Sequence, residues 1–196
     1  MHNFVDISMN LKLSYIEEMK KYELILNSLG YIMCLTGGTM LGAIREGKFI
    51  DHDNDIDVAV IMRGANIVEV GKEKDYIVNH LVKLGYEIIK NTRSQFKPYL
   101  QIPGICLDTF TYYFDENDKA FFYPYNGCFD KQDIVPLIPV KLYNTNFLAL
   151  GNYEKIFTVL YDNWRVPQTK KTMLERKLHE GPVSDLNQIK WADYNK

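Results

Sequence analysis

Apolar residues recur at three- and four-residue intervals near the start of the chain, at Tyr15, Ile16, Met19, Tyr22, Leu26 and Leu29. The spacing predicts an amphipathic helix over 13–30, ended by Gly30, which can take the left-handed backbone of a helix stop. The pattern then shortens. "YIMCL" at 31–35 reads as a brief buried strand that runs into Thr36-Gly37-Gly38, and "TMLGAIRE" as a short helix beyond it. "DIDVAVI" at 55–61 predicts a second strand, "IVNHLVKLGY" the end of a second helix stopped by Gly85, and "YEIIKN" a third strand.

Farther on, "YLQI" and "ICLDTFTYYF" predict a hairpin joined at Pro103-Gly104, while 115–135 mixes aromatics with Asp, Asn and Gly without period and is expected to be irregular. "IPVKLYNTNFLAL" predicts another hairpin turning at Asn144-Thr145-Asn146, and "NYEKIFTVLYDNW" a last helix capped by Asn152. Tyr161 and Trp164, one helical turn apart, are expected to be structural. The expected fold class is α+β, a mixed sheet flanked by helices with a small irregular or helical C-terminal extension. The expected organisation is one domain over 1–167 and a polar tail over 168–196, without repeats or linker.

Composition narrows the function. The chain has 196 residues and a net charge of -2 from 23 basic and 25 acidic side chains, so no overall basic balance points to nucleic acid. An anionic partner must be held locally. The start "MHNFVDISMN" lacks a basic and then apolar leader, and no apolar run approaches the ~18 residues of a membrane span, so a soluble cytoplasmic protein is expected. Cys34, Cys106 and Cys128 lack CxxC spacing and read as reduced structural thiols.

The candidate chemistry lies in "TGGTMLGAIREGKFIDHDNDIDVAV" at 36–60. Alternate residues of a strand share a face, so Asp55 and Asp57 point together. Their repulsion in a partly buried site needs a cation or a proton to offset it, and hard carboxylate ligands suit Mg2+ or Mn2+. Asp108, a lone acid in "GICLDTFTYYF", is costly unless paired or metal-bound, and is the natural third ligand if its strand lies beside 55–61. Gly37 and Gly38, with Thr39 behind them, would let backbone N–H groups approach a phosphate at a helix N-terminus. Arg45 or Lys48 could meet a diphosphate. Glycines leaving one strand, D-x-D opening the next and one acid in a later apolar strand resemble the nucleotidyltransferase fold.

More closely, "GGTMLGAIREGKFIDHDNDIDVAV" resembles the signature of the LicD/fukutin family, in which GGTLLG is followed by an arginine and an acidic run. Asp53, Asp55 and Asp57 fall on that run, which makes Asp53 a further possible ligand. "LDTF" at 107–110 is similar to the family's Asp-bearing strand and "YDNWRVPQ" at 161–168 to its closing element, so the resemblance spans about 14–168. The chain departs from the family pattern at Asp51-His52, where Pro-Trp is usual, and at Asp162, where Gly is usual. The resemblance implies transfer of a phospho-alcohol, such as phosphocholine or ribitol phosphate, from a CDP-alcohol donor to a glycan hydroxyl, releasing CMP. A nucleotidyltransferase acting on an NTP and a catalytically silent nucleotide-binding module are the alternatives. His52 reads as a loop histidine beside the acids. Phe121, Phe122, Tyr123, Tyr125 and Phe129 read as core packing or as a surface for a base or a quaternary ammonium.

Overall fold

The computed structural model describes residues 3–167 except 93, 103–105, 124 and 162. The described residues up to Tyr153 form one compact unit and those from Glu154 a second. The polar tail expected over 168–196 lies outside the described residues, as does Asp162.

The first helix, α1 (Met9–Ser28), begins earlier than its apolar spacing suggested because the Ser8 side chain accepts from Leu11 N at 3.3 Å and caps it. Gly30, at φ 81°, ends it as expected. β1 (Ile32–Leu35) follows, then α2 (Gly37–Glu46), β2 (Ile56–Ile61) and α3 (Ile67–Lys83), the last capped by Asn66 Oδ1 on Val68 N and Glu69 N. The two glycines are therefore the first residues of α2, not a separate turn before it, with Thr36 as N-cap.

β3 (Ile88–Asn91) pairs antiparallel with β4 (Gln95–Pro98), and β4 pairs antiparallel with β5 (Leu107–Phe114). An antiparallel partner precedes β5, but it lies upstream of "YLQI", and the expected joint at Pro103-Gly104 lies outside the described residues. Only Tyr99, through an isolated bridge to Cys106, carries the pairing into that segment among the described residues. Residues 115–135 are more regular than expected, with β6 (Lys119–Phe121), β7 (Phe129–Asp130) and α4 (Lys131–Ile134). β8 (Ile138–Leu142) and β9 (Thr145–Ala149) form the expected hairpin one residue tighter, turning on Tyr143 and Asn144 at φ 48° and 65°. α5 (Tyr153–Tyr161) is the last helix among the described residues, and its Phe157 packs on Tyr161 of the same helix and on Trp164 beyond it, at 5.7 and 5.2 Å between ring centroids.

The strands form one mixed sheet in the order β3-β4-β5-β2-β1-β9-β8, with β6 and β7 added on β5. β2 and β5 run parallel at its centre, with Asp57 opposite Asp108. Thr109, the next residue along, accepts or donates a 3.2 Å hydrogen bond with Tyr22 of α1. Side chains alternate along a strand, so α1 covers one face and Asp108 projects from the other. Among the described residues no helix is long and apolar enough to cross a membrane.

Candidate active site

Asp57 lies in β2 and Asp55 just before it, so both share the face on which Asp108 projects from β5. One carboxylate oxygen from each of Asp55, Asp57 and Asp108 lies within 4.8 Å of the others. The three acids singled out in the sequence thus lie together, and the parallel pairing of β2 with β5 is the cause.

The N-terminal turn of α2 supports this cluster. Gly38 N–H donates to Asp57 Oδ2 at 2.9 Å, and Asp57 N–H donates to Thr39 Oγ1 at 2.9 Å. A carboxylate at a helix N-terminus is favoured by the orphan N–H groups and the helix dipole. The glycines are also sterically required. A Cβ on Gly37, which sits at φ 51°, would fall 2.4 Å from Asp57 Oδ2, and one on Gly38 would fall 2.4 Å from Asp53 Oδ2.

Gly42 extends the same demand one turn along, since its Cβ would lie 2.4 Å from Lys48 O. Residues four apart share a helix face, so Gly38 and Gly42 form a groove in α2 along which 48–53 returns toward the acids. The outer side of that segment is held by the N-terminal turn. Phe4 N–H and Val5 N–H donate to Asp53 O and Asp51 O at 2.7 and 2.8 Å, and Phe4 stacks on Phe49 at 4.3 Å. This packing role of the N-terminus and of Gly42 went unread in the sequence. It depends on a partner segment that no local pattern announces.

The electrostatics are unfavourable for three bare carboxylates. Burial, then the charge of Asp55, then those of Asp108 and Asp53 push the Asp57 carboxyl up to about 8, against the opposing bond from Gly38. Asp108 is 6% exposed, and its Oδ2 takes donors from Gln95 Nε2 at 3.0 Å and Lys97 Nζ at 2.5 Å. Its Oδ1 is buried with no hydrogen-bond partner. A carboxylate with one orphaned oxygen, set in a cluster with two further acids, is the arrangement a hard divalent cation satisfies, so the donor set fits Mg2+ or Mn2+.

The other expected residues divide. Arg45, in the last turn of α2, donates from Nε and Nη2 to Glu46 Oε1 at 2.8 and 2.6 Å. Lys48 Nζ lies 3.0 Å from both Asp51 carboxylate oxygens. Arg45 thus lies in the C-terminal half of α2 and Lys48 just past its end, whereas the glycines and Thr39 form the N-terminal turn against the acids. His52 is half-buried in the returning segment. Of the aromatic stretch, Phe122 and Phe129 are core residues at 3% and 2% exposure, with Phe122 stacked on Tyr112 at 4.2 Å and Phe121 on Tyr113 at 5.2 Å. Tyr123, at 40%, is the aromatic of that stretch with substantial exposed surface. Cys34 and Cys106 are buried free thiols and Cys128 a half-buried one.

Comparison with solved structures places this architecture. A solution structure of the antibiotic-resistance factor ANT(2'')-Ia superposes with TM-score 0.55 at 12% identity, covering 90% of this chain and 86% of that one. A crystal structure of ANT(2'')-Ia in complex with adenylyl-2''-tobramycin superposes with TM-score 0.51 at 12% identity, covering 88% and 91%. At such identity the likeness concerns the fold, which is that of nucleotidyltransferases. A comparison with curated proteins gives no match. The profile of a domain family described as LicD/FKTN/FKRP, nucleotidyltransferase domain, matches residues 30–149, which include Gly37 and Gly38, the acidic run and the Asp108 strand but not the 161–168 segment. The match spans more than half of the chain, which therefore belongs to the LicD/FKTN/FKRP nucleotidyltransferase-domain family.

Proposed function

We propose that this protein is a divalent-metal-dependent transferase that moves a phospho-alcohol group, such as phosphocholine or ribitol phosphate, from a CDP-linked donor to a glycan hydroxyl, with release of CMP. The observation that carries this reading is the meeting of Asp55, Asp57 and Asp108 against the first turn of α2 in a chain of the LicD family. When bound, Mg2+ or Mn2+ supplies positive charge to phosphate oxygens and lowers the pKa of a hydroxyl.

The protein's own residues would act as follows. Asp55, Asp57 and Asp108 hold the cation, with Asp53 beside Gly38 as a further candidate ligand. Gly37, Gly38 and Thr39 present the helix N-terminus to the donor phosphates. Arg45 and Lys48 are the proposed diphosphate contacts, each exchanging a carboxylate partner, Glu46 or Asp51, for phosphate. The acceptor oxygen attacks the phosphorus that bears the alcohol, and the pyrophosphate P–O bond breaks with its electron pair leaving on CMP. The hydroxyl proton passes to Asp108 Oδ1, the oxygen without a protein partner. Catalysis then rests on positioning and charge neutralisation.

The same three acids serve a second reaction, nucleotidyl transfer from an NTP with release of pyrophosphate. ANT(2'')-Ia, which shares the fold, has been crystallised with adenylyl-2''-tobramycin, the observation that favours this second reading. Purified protein with Mg2+ and CDP-choline, CDP-ribitol, CTP or ATP separates the two. CMP should appear above a no-enzyme control with one CDP-alcohol, faster once the matching glycan is added. Pyrophosphate from CTP or ATP, with no CMP from either CDP-alcohol, overturns the proposal in favour of nucleotidyl transfer. Binding of one of the four nucleotides with release of neither CMP nor pyrophosphate marks a silent nucleotide-binding module.

A further inference from the structure

The β4 strand carries two polar residues, Gln95 and Lys97, whose side chains turn toward the acid cluster. Gln95 is 5% exposed and Lys97 has 23% of its side chain exposed. The antiparallel register of β4 with β5 sets Gln95 opposite Phe110 and Phe96 opposite Thr109. One step further brings Lys97 level with Asp108, which in turn is level with Asp57 across the parallel pair. Three adjacent strands thus place a cation and two acids side by side on one face.

Both side chains bind the same carboxylate oxygen. Lys97 Nζ is 2.5 Å and Gln95 Nε2 3.0 Å from Asp108 Oδ2, while Oδ1 is buried with no partner. Gln95 is itself oriented, because Lys90 Nζ donates to its Oε1 at 2.7 Å, which fixes the amide nitrogen toward Asp108. Resting on the metal reading above, we infer that Gln95 and Lys97 are positioning residues that occupy Asp108 Oδ2 and so present Oδ1 alone to the cation and the acceptor hydroxyl. Without them the carboxylate could rotate about its χ2 bond or offer both oxygens. A ligand's outer partners, which fix its orientation, are typically worth 10- to 100-fold in metal affinity.

A charge argument makes the opposite prediction for Lys97. Removing a cation beside three acids should, by Coulomb attraction alone, strengthen binding of a divalent ion. Calorimetric titration of Mn2+ into the full chain and into Gln95→Leu and Lys97→Met variants therefore distinguishes positioning from charge. Positioning predicts that both variants bind Mn2+ at least about tenfold more weakly than the parent. A merely structural role lowers the melting temperature of the metal-free protein and leaves Mn2+ affinity unchanged. Should Lys97→Met fail to fold, Gln95→Leu decides alone, since it removes a donor without changing charge. Unchanged affinity in Gln95→Leu, or equal or tighter binding in Lys97→Met, overturns the inference. No Mn2+ binding by the parent chain overturns the metal reading itself, and with it this inference.

Discussion

Cation binding at Asp55, Asp57 and Asp108 should displace a proton, and its pH dependence can be worked from the site. In the metal-free protein the Asp57 carboxyl stands at about 8, raised first by burial and then by the neighbouring carboxylates. A carboxylate must be ionised to hold a divalent ion, so binding competes with that proton. For a group at about 8, roughly ten molecules in eleven carry the proton at pH 7, and about a hundred in a hundred and one at pH 6. The apparent Mn2+ affinity should therefore be about tenfold below its high-pH limit at pH 7 and about a hundredfold below it at pH 6. The dependence should flatten above about pH 8.5. Calorimetry at pH 7 in two buffers of different ionisation enthalpy should register ~0.9 proton released per ion. The stability of the metal-free protein follows the same proton. Because the folded value lies above the unfolded one, the contribution of this group is fully present below about 3.8 and is lost as pH rises toward about 8. The metal-free melting temperature should fall across that window, and the stabilisation by added Mn2+ should grow. Equal affinity at pH 6 and pH 8, with no buffer-dependent heat, would refute the reasoning.

Two further outcomes test the same site by other routes. Asp57→Asn should lower turnover by at least about a hundredfold, by analogy with removing one electrostatic stabiliser of a transition state, while the circular-dichroism spectrum is retained; a variant that loses its folded spectrum would show that the residue is structural. Gly37→Ala should drive its new Cβ into Asp57 and weaken Mn2+ binding by about tenfold or more, whereas Gly38→Ala, whose Cβ meets Asp53 first, should weaken binding only if Asp53 is a ligand; isothermal titration of the two variants side by side reads both answers.

How far the sequence reveals this site follows from how local each signal is. Asp55 and Asp57 are legible because strand alternation puts them on one face, and Asp108 because a lone acid among Leu, Phe and Tyr is costly wherever it lies. Their meeting requires β2 and β5 to be parallel neighbours, a nonlocal fact that apolar patterning leaves open and the register supplies. Gly37 and Gly38 announce a close approach but not its object. In the folded chain that object is a carboxylate, since Gly38 N–H already binds Asp57, and any phosphate must approach the same turn from outside that bond. Arg45 and Lys48 follow the glycines along a helix that rises about 1.5 Å per residue, so a donor diphosphate must extend along α2 to meet them. Eight residues of α2 carry Arg45 about 12 Å along the axis from Gly37. Lys97 is the reverse case. It sits in "QFKP", where nothing local distinguishes it from a solvated charge. Only the antiparallel pairing of β4 with β5 sets it against Asp108. The short pieces β6, β7 and α4 escape notice for a related reason. At two to four residues each they hold too little of any period to be seen, and are fixed by partners such as Asp130 and Lys119, which pair across the strands at 2.6 Å. The acids of this site are thus visible as isolated costs in the chain, whereas Gln95 and Lys97, which hold Asp108, become visible only when the strand order is known, and the β4 pair is where sequence reading and structure differ most in what they predict for the chemistry.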